Sequence, residues 1–459
     1  MKKLFVLLAV VGLFVIPEAQ AKFVYIETNA TEVANNKGGK GYLTDGNWIF
    51  SATRANKTVN LTVSGAKGEF KGSVPCPVDF TTIESEDGST TYKAVSFSYL
   101  SASKAQNSLL YEYREMITEF IAPDCITITG EGSFSGCVNL TKVVLNADVT
   151  TLHGSLFWGC TSLVEFFPRV IGATTLNSGL FAKCSNFEGS FDFPNLKAIP
   201  SNLFNSCGKI QEVKAEKATS VDQDSFNSCS SITNVVLPNL TTIKKQCAFR
   251  YCTSLTSQAL RNILQGGVTN IASYCFEGCT SIEELNWNFP DMTSRAVQGS
   301  TFKDCSKLSC VKFTTPVDKI YGDAFKNIAE GAELYMHLDA PTVYGGDAIS
   351  RGTAPFPKII LKGNFEAWFE AMGVNNHVIT REDFNNRNWS HSYTGNSKGW
   401  GTITDWMAKD SAMCKKEKID GVDTVTVPDK NVIAFVMRHS NSGCWVMRKA
   451  REGMRVIVR

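Results

Sequence analysis

Fifteen cysteines carry the widest chemical reach in this 459-residue chain. A thiol can pair as a disulfide, ligate zinc or act as a nucleophile. Eight of them recur in one setting, Phe-x-x-Cys, every 22 to 27 residues: Phe134/Cys137, Phe157/Cys160, Phe181/Cys184, Phe204/Cys207, Phe226/Cys229, Phe249/Cys252, Phe276/Cys279 and Phe302/Cys305. A ninth copy keeps Phe325 but has Ile328 in the Cys slot. A disulfide framework uses irregular spacing to tie distant loops, and a zinc site wants C-x-x-C pairs, which none of the fifteen forms. One equivalent slot per repeat instead suits a small buried hydrophobe, so these thiols read as a structural ladder. Cys414 and Cys444 differ: they share a small C-terminal segment and are the candidate disulfide.

The sequence holds no other motif that would do chemistry. His153, His337, His377, His391 and His439 are scattered, and no H-E-x-x-H occurs. The segment Gly132-Ser-Phe-Ser-Gly136 puts Phe where a G-x-S-x-G nucleophile belongs. Gly38-Gly-Lys-Gly41 lacks the spacing of a phosphate loop, and Asp420, Asp423 and Asp429 fit no calcium cage. Nothing positions His391, His439 and Cys414 together. No enzyme, cofactor or metal centre is expected.

The elements that must hold the ladder follow from its period. Fixed self-similarity over 20 to 50 residues means a solenoid, because one such unit cannot bury its own apolar face and must stack on its neighbours. After most of the cysteines an L-x-x-L-x-L core recurs, as in Leu140, Val143, Leu145; Ile232, Val235, Leu237; and Leu308, Val311, Phe313. A short strand with alternate side chains inward fits that pattern. Turns such as Pro194-Asn195 and Pro238-Asn239 follow. Pro168, Pro194 and Pro290 fall at different offsets from their cysteines, which leaves strand register open after Cys160, Cys184 and Cys279; of Phe167 and Phe191, at least one is expected in the core. In the sixth repeat Ser257 to Leu264, with Leu260, Ile263 and Leu264 at helical spacing and Gly266-Gly267 beyond, predicts an inserted helix.

The F-x-x-C-x-x-L-x-x-V-x-L-P pattern resembles the leucine-rich repeats of BspA-type bacterial surface proteins, also called Treponema pallidum-type repeats. The resemblance covers Glu115 to Phe325 and extends to Asn376 through Ile359-Ile-Leu361. It implies an exported, non-enzymatic protein used for adhesion to host or bacterial proteins. The expected fold is an α/β-type repeat solenoid of short parallel strands flanked by small β-rich end modules. The expected division is a signal peptide over 1–21, an N-terminal β module over 22–90, the solenoid with its caps over 91–376 and a C-terminal β-rich module over 377–459.

Lys2-Lys3, an apolar run from Leu4 to Ile16 and Ala19-Gln-Ala21 read as a bacterial secretory signal, too short for a membrane span. With a formal charge of +2 and no long basic stripe, nucleic acid and anionic membrane are poor partners. The outward strand slots are the candidate ligand-binding face: Lys142, Glu165, Glu212, Lys214, Asn234, Glu283, Glu284 and Lys312, with Val144 and Val236 as apolar exceptions. They are mixed and polar, and suit a protein ligand on host matrix or a bacterial surface. The alternative is glycan capture by the C-terminal module, where Trp389, Trp400, Trp406 and Trp445 could stack on sugar rings; a small module needs large aromatics for its own core, which favours packing.

Overall fold

The computed structural model describes residues 22–27, 39–63, 69–99, 113–265, 267–268, 270–287, 295–315 and 317–337, and from residue 336 onward the backbone of strands alone. The expected signal segment 1–21 lies outside the described residues, as do Cys414, Trp389, Trp400 and Trp406. Cys444 and Trp445 fall on the strand Gly443–Lys449, but their side chains lie outside the described residues.

Most repeats contribute one strand to a long parallel face and a two-residue strand to a return face. On the long face Ile117–Ile121, Lys142–Val144 and Glu165–Phe167 pair in parallel, then Glu188–Asp192, Lys209–Lys214 and Asn234–Val236, then Glu284–Trp287, Cys310–Phe313, Glu333–His337 and Lys358–Lys362. The return face runs in the same sense through Ala198–Ile199, Ser220–Val221, Thr242–Ile243 and Asn270–Ile271. Among the described residues there is one α-helix, Ser257–Leu264. The α/β part of the expected class is therefore not supported: the return limbs are turns and short strands, too brief to hold helices, and the architecture is a solenoid of stacked parallel strands.

That helix lies where sequence spacing placed it, and it takes the place of a strand. Thr256 caps it, its Oγ1 accepting from the Ala259 amide at 3.1 Å, and Ala259, Leu260, Ile263 and Leu264 are buried. It sits between Asn234–Val236 and Glu284–Trp287, so the long face is interrupted there while the return face continues from Thr242–Ile243 to Asn270–Ile271. Ser257 Oγ accepts from the amides of Glu283 and Glu284 at 2.8 and 3.0 Å, replacing bonds that a strand would have supplied.

Between the two faces runs the Phe-x-x-Cys turn. The nine phenylalanines of this turn series, from Phe134 to Phe325, are fully buried. Successive rings stack with centroids 5.0 to 6.0 Å apart and planes within 23° of parallel. The eight cysteines that follow them, Cys137, Cys160, Cys184, Cys207, Cys229, Cys252, Cys279 and Cys305, are fully buried too. Their role differs from the purely space-filling one that equal spacing suggests. From Cys160 onward each donates to the Phe carbonyl of the preceding repeat: Cys184 to Phe157 at 3.0 Å, Cys229 to Phe204 at 3.0 Å and Cys252 to Phe226 at 3.1 Å are examples. The thiol thus fills a small slot and also links neighbouring repeats through a weak S–H···O bond. None of the thirteen cysteines among the described residues is in a disulfide. Replacing Cys229 by Ala is expected to lower unfolding free energy by about 1–2 kcal/mol, the sum of a small truncation and a weak hydrogen bond, measured by urea denaturation.

Every turn also needs two left-handed residues, one two places before Phe and one just before Cys. In the fourth and fifth repeats these are Asn202 with Ser206 and Asp224 with Ser228, with φ between 53° and 61°. Small polar residues and Gly adopt this region most easily.

The two ends merge into the stack. Phe23–Glu27, Gly39–Thr44, Trp48–Ala55 and Thr58–Val63 form an antiparallel meander, and Thr58–Val63 then pairs in parallel with Thr91–Tyr99, which pairs with Thr127–Ile128. Cys76–Asp79 adds a first rung beside Ile117–Ile121. Phe50, Phe97 and Phe120 carry the aromatic row on to Phe134. At the other end Gly443–Lys449 pairs in parallel with Lys358–Lys362 and Ala434–His439 closes the sheet as a hairpin.

The repeat of Cys184 departs from the common spacing. In its neighbours the buried strand residue stands six places after the cysteine, as Phe166 does after Cys160 and Val213 after Cys207. After Cys184 it stands seven places on, at Phe191, which pairs with Val213 because the pairing shifts register between Gly189 and Ser190. Phe167, seven places after Cys160, is 45% exposed instead. A one-residue slip moves a side chain to the opposite face, so the slot seven residues after Cys184 drops out of the outward face and joins the core.

Candidate functional site

The outward side chains of the long face form two patches on either side of the helix. In the first, Lys142 Nζ lies 3.9 Å from Glu165 across adjacent strands, Lys214 lies 3.4 Å from Glu212, and Asn234 Nδ2 donates to Glu212 Oε1 at 2.7 Å. Val144 and Val236 are half-buried beside them. Phe167 adds an exposed apolar ring. Arg169 lies over the buried Phe191 ring at 4.7 Å and donates to the Glu188 carbonyl at 2.7 Å, between the strands of Glu165 and Glu212. In the second patch Glu284 begins a strand, exposed Glu283 precedes it, and Lys312 stands in register with Asn286 and lies 5.6 Å from the Tyr335 ring. Strand register therefore brings Lys142 to Glu165 and Glu212 to Asn234, Lys214 joins Glu212 from two places along the same strand, and the helix keeps all of these away from Glu283, Glu284 and Lys312. Such exposed pairs are individually worth little, so this face is a wet, adaptable surface.

The turn side carries residues that spacing arguments did not single out. Glu277 is 2% exposed and is held by Arg250 Nε and, at 3.5 Å, by Lys303 Nζ. The Arg250 guanidinium lies 4.6 Å from the Tyr251 ring and 5.9 Å from the Tyr274 ring. Gly278 has no side chain because a Cβ there would collide with the Tyr251 ring. Nearby is an open groove of 480 Å³ lined by Gln223, Lys244, Lys245, Gln246, Ala272, Ser273 and Gln298. The signal that could have found this region is the presence of Tyr251 and Tyr274 in turn positions that other repeats give mostly to small residues.

Among the described residues the buried thiols offer no nucleophile. Burial drives Cys137, Cys229 and Cys305 far above the ordinary thiol range, pushes Cys275 up to about 12 and Cys125 up to about 11. Cys160 is raised first by burial and then by its hydrogen bond with the Cys184 thiol. Cys184 itself is buried, in no disulfide and committed to the Phe157 carbonyl, so it presents no sulfur to solvent. A reactive cysteine needs an accessible thiolate, which these sites disfavour. Among the described residues no cluster of three or more His, Cys, Asp or Glu could hold a metal ion, and no helix is long and apolar enough to cross a membrane.

The BspA type Leucine rich repeat region model matches residues 104–230 and 219–337, in six copies. The chain belongs to the BspA-type leucine-rich-repeat family. Among the solved structures similar to this BspA-type chain are leucine-rich-repeat proteins. One is a leucine rich cell surface protein from Faecalibacterium prausnitzii, with 13% identity, a TM-score of 0.34, and coverage of 71% of this chain and 96% of that one. Another is a leucine-rich repeat protein from Bacteroides ovatus, with 18% identity, a TM-score of 0.40, and coverage of 76% and 98%. A third is the T. pallidum leucine rich repeat protein, with 18% identity, a TM-score of 0.35, and coverage of 48% and 95%. No curated protein sequence matches the chain.

Proposed function

We propose that this BspA-type protein is exported and non-enzymatic, and that the long strand face of its solenoid binds a protein ligand on host matrix or a bacterial surface. The observation that carries this reading is the face itself: within each of its three sheets, successive parallel strands present mixed charge and scattered apolar groups in register. Solenoids use extended faces of this kind for extended partners. Family membership supports the same role, and the buried thiols leave little for chemistry to use. Glu212 with Lys214 and Asn234 forms one recognition patch, and Glu283, Glu284 and Lys312 a second.

Charge reversal tests it. Glu283→Lys with Glu284→Lys, and separately Lys312→Glu, should change unfolding free energy by no more than about 0.5 kcal/mol, as for surface positions. Binding of the full chain to immobilised matrix proteins or bacterial surface extract should fall by about tenfold, because charged rims steer and select partners. Binding that is indifferent to every outward-face change would remove the strand face from consideration.

A further inference from the structure

At the corner where the return face enters the Phe-x-x-Cys turn, equivalent residues of successive repeats stand in columns joined by backbone hydrogen bonds. One column holds Gln223, Gln246, Ser273 and Gly299, linked through Asn202 N to Gln223 O, Asp224 N to Gln246 O, Cys247 N to Ser273 O and Tyr274 N to Gly299 O. The next column holds Asp224, Cys247, Tyr274 and Ser300, all with left-handed backbone. The polar groove lies along the first column and is widened by Lys244, Lys245 and Gln298. Its span of four repeats is roughly 14 Å at the strand spacing of a sheet.

Two features there are not what the fold asks for. Elsewhere the left-handed positions are filled mostly by Gly, Asn, Asp or Ser, yet here two successive repeats place Tyr251 at φ 56° and Tyr274 at φ 62°. A bulky residue in that region is an outlier, and such strain gathers at functional sites. Both rings are also out in solvent, Tyr251 40% and Tyr274 37% exposed, so core packing does not explain them. Tyr251 is braced from below by Gly278 and from the side by Arg250, which buried Glu277 anchors.

We infer that this corner is a carbohydrate-binding site, with Gln223, Gln246, Gln298, Ser273 and Lys244 lining the groove and the partly exposed Tyr274, next in sequence to Ser273, as a stacking platform. Side-chain amides both donate and accept, which matches the paired hydroxyls of a sugar ring. An amphipathic aromatic offers an apolar face to the sugar's C–H groups while its own hydroxyl stays wet. Lys245 is partly committed to Asp222 at 3.4 Å, so the groove has only moderate positive character and suits a neutral or singly acidic oligosaccharide. A groove of this size lies within the usual range for small-ligand sites. The site is independent of the strand face.

The test is binding of the full chain to a printed panel of neutral, uronate-bearing and sialate-bearing oligosaccharides, followed by calorimetric titration of the best binder. Tyr274→Asn is the informative variant, because Asn tolerates left-handed backbone and the melting temperature should hold or rise. Binding should nonetheless weaken by at least about tenfold, with Gln246→Ala and Gln298→Ala showing the same direction. Glu283→Lys with Glu284→Lys should leave it unchanged. The inference is overturned if the chain binds no oligosaccharide on the panel, if Tyr274→Asn and Gln246→Ala both bind as tightly as the parent, or if only the strand-face change abolishes binding.

Discussion

Between about pH 9 and pH 11 the solenoid is expected to lose essentially all of its stability, more steeply than any surface titration would produce. Burial raises seven ladder thiols, Cys137, Cys160, Cys207, Cys229, Cys252, Cys279 and Cys305, well above the ordinary value of 9.0. Below about pH 8 both the folded and the unfolded chain keep these protons, and pH has no leverage through them. Above 9 the unfolded chain releases them while the folded chain retains them, so stability falls as pH rises through that window. Each thiol contributes about 1.4 kcal/mol per pH unit, and seven together roughly 10 kcal/mol per pH unit. Urea denaturation at stepped pH gives the slope. The double variant Cys229→Ala with Cys252→Ala should flatten it by close to two protons, while an unchanged slope would mean that lysine and tyrosine titration dominates.

The second large effect belongs to the aromatic row. Phe226 is fully buried, with its ring 6.0 Å from Phe204 and 5.0 Å from Phe249. Removing it opens a cavity that two repeats share, and Phe226→Ala is expected to cost about 3–5 kcal/mol. In a solenoid each repeat is stabilised only by its neighbours, so a break at mid-array does more than lower the total. Denaturation of the variant should broaden or separate into two transitions, one for each side of the gap. A loss below about 1 kcal/mol, or a single undistorted transition, would show that the row is not what couples the repeats.

Much of this architecture is legible in the chain because it is written in local spacing. The Phe-x-x-Cys period, the apolar positions after most of the cysteines and the helix Ser257–Leu264 depend on residues close in sequence, where periodicity and caps carry the signal. The strand face is legible to the same degree: Lys142, Glu212, Asn234 and Lys312 alternate with buried neighbours as strand geometry requires.

What only the tertiary structure decided are relations between repeats. The split between exposed Phe167 and buried Phe191 depends on a register shift against the next strand, which no count from Cys160 or Cys184 contains. The thiol's second role is equally remote: Cys184 meets a carbonyl 27 residues earlier, and Cys229 one 25 residues earlier, only once the repeats stack. The exchange of a strand for the helix interrupts the long face while the return face stays paired from Thr242–Ile243 to Asn270–Ile271, so the two outward patches are separate surfaces. The corner groove draws its lining from four repeats, each contributing one or more residues. Sequence alone determined the repeating unit, because local physics repeats with it. The surfaces proposed for recognition were decided by stacking, because they exist only between units.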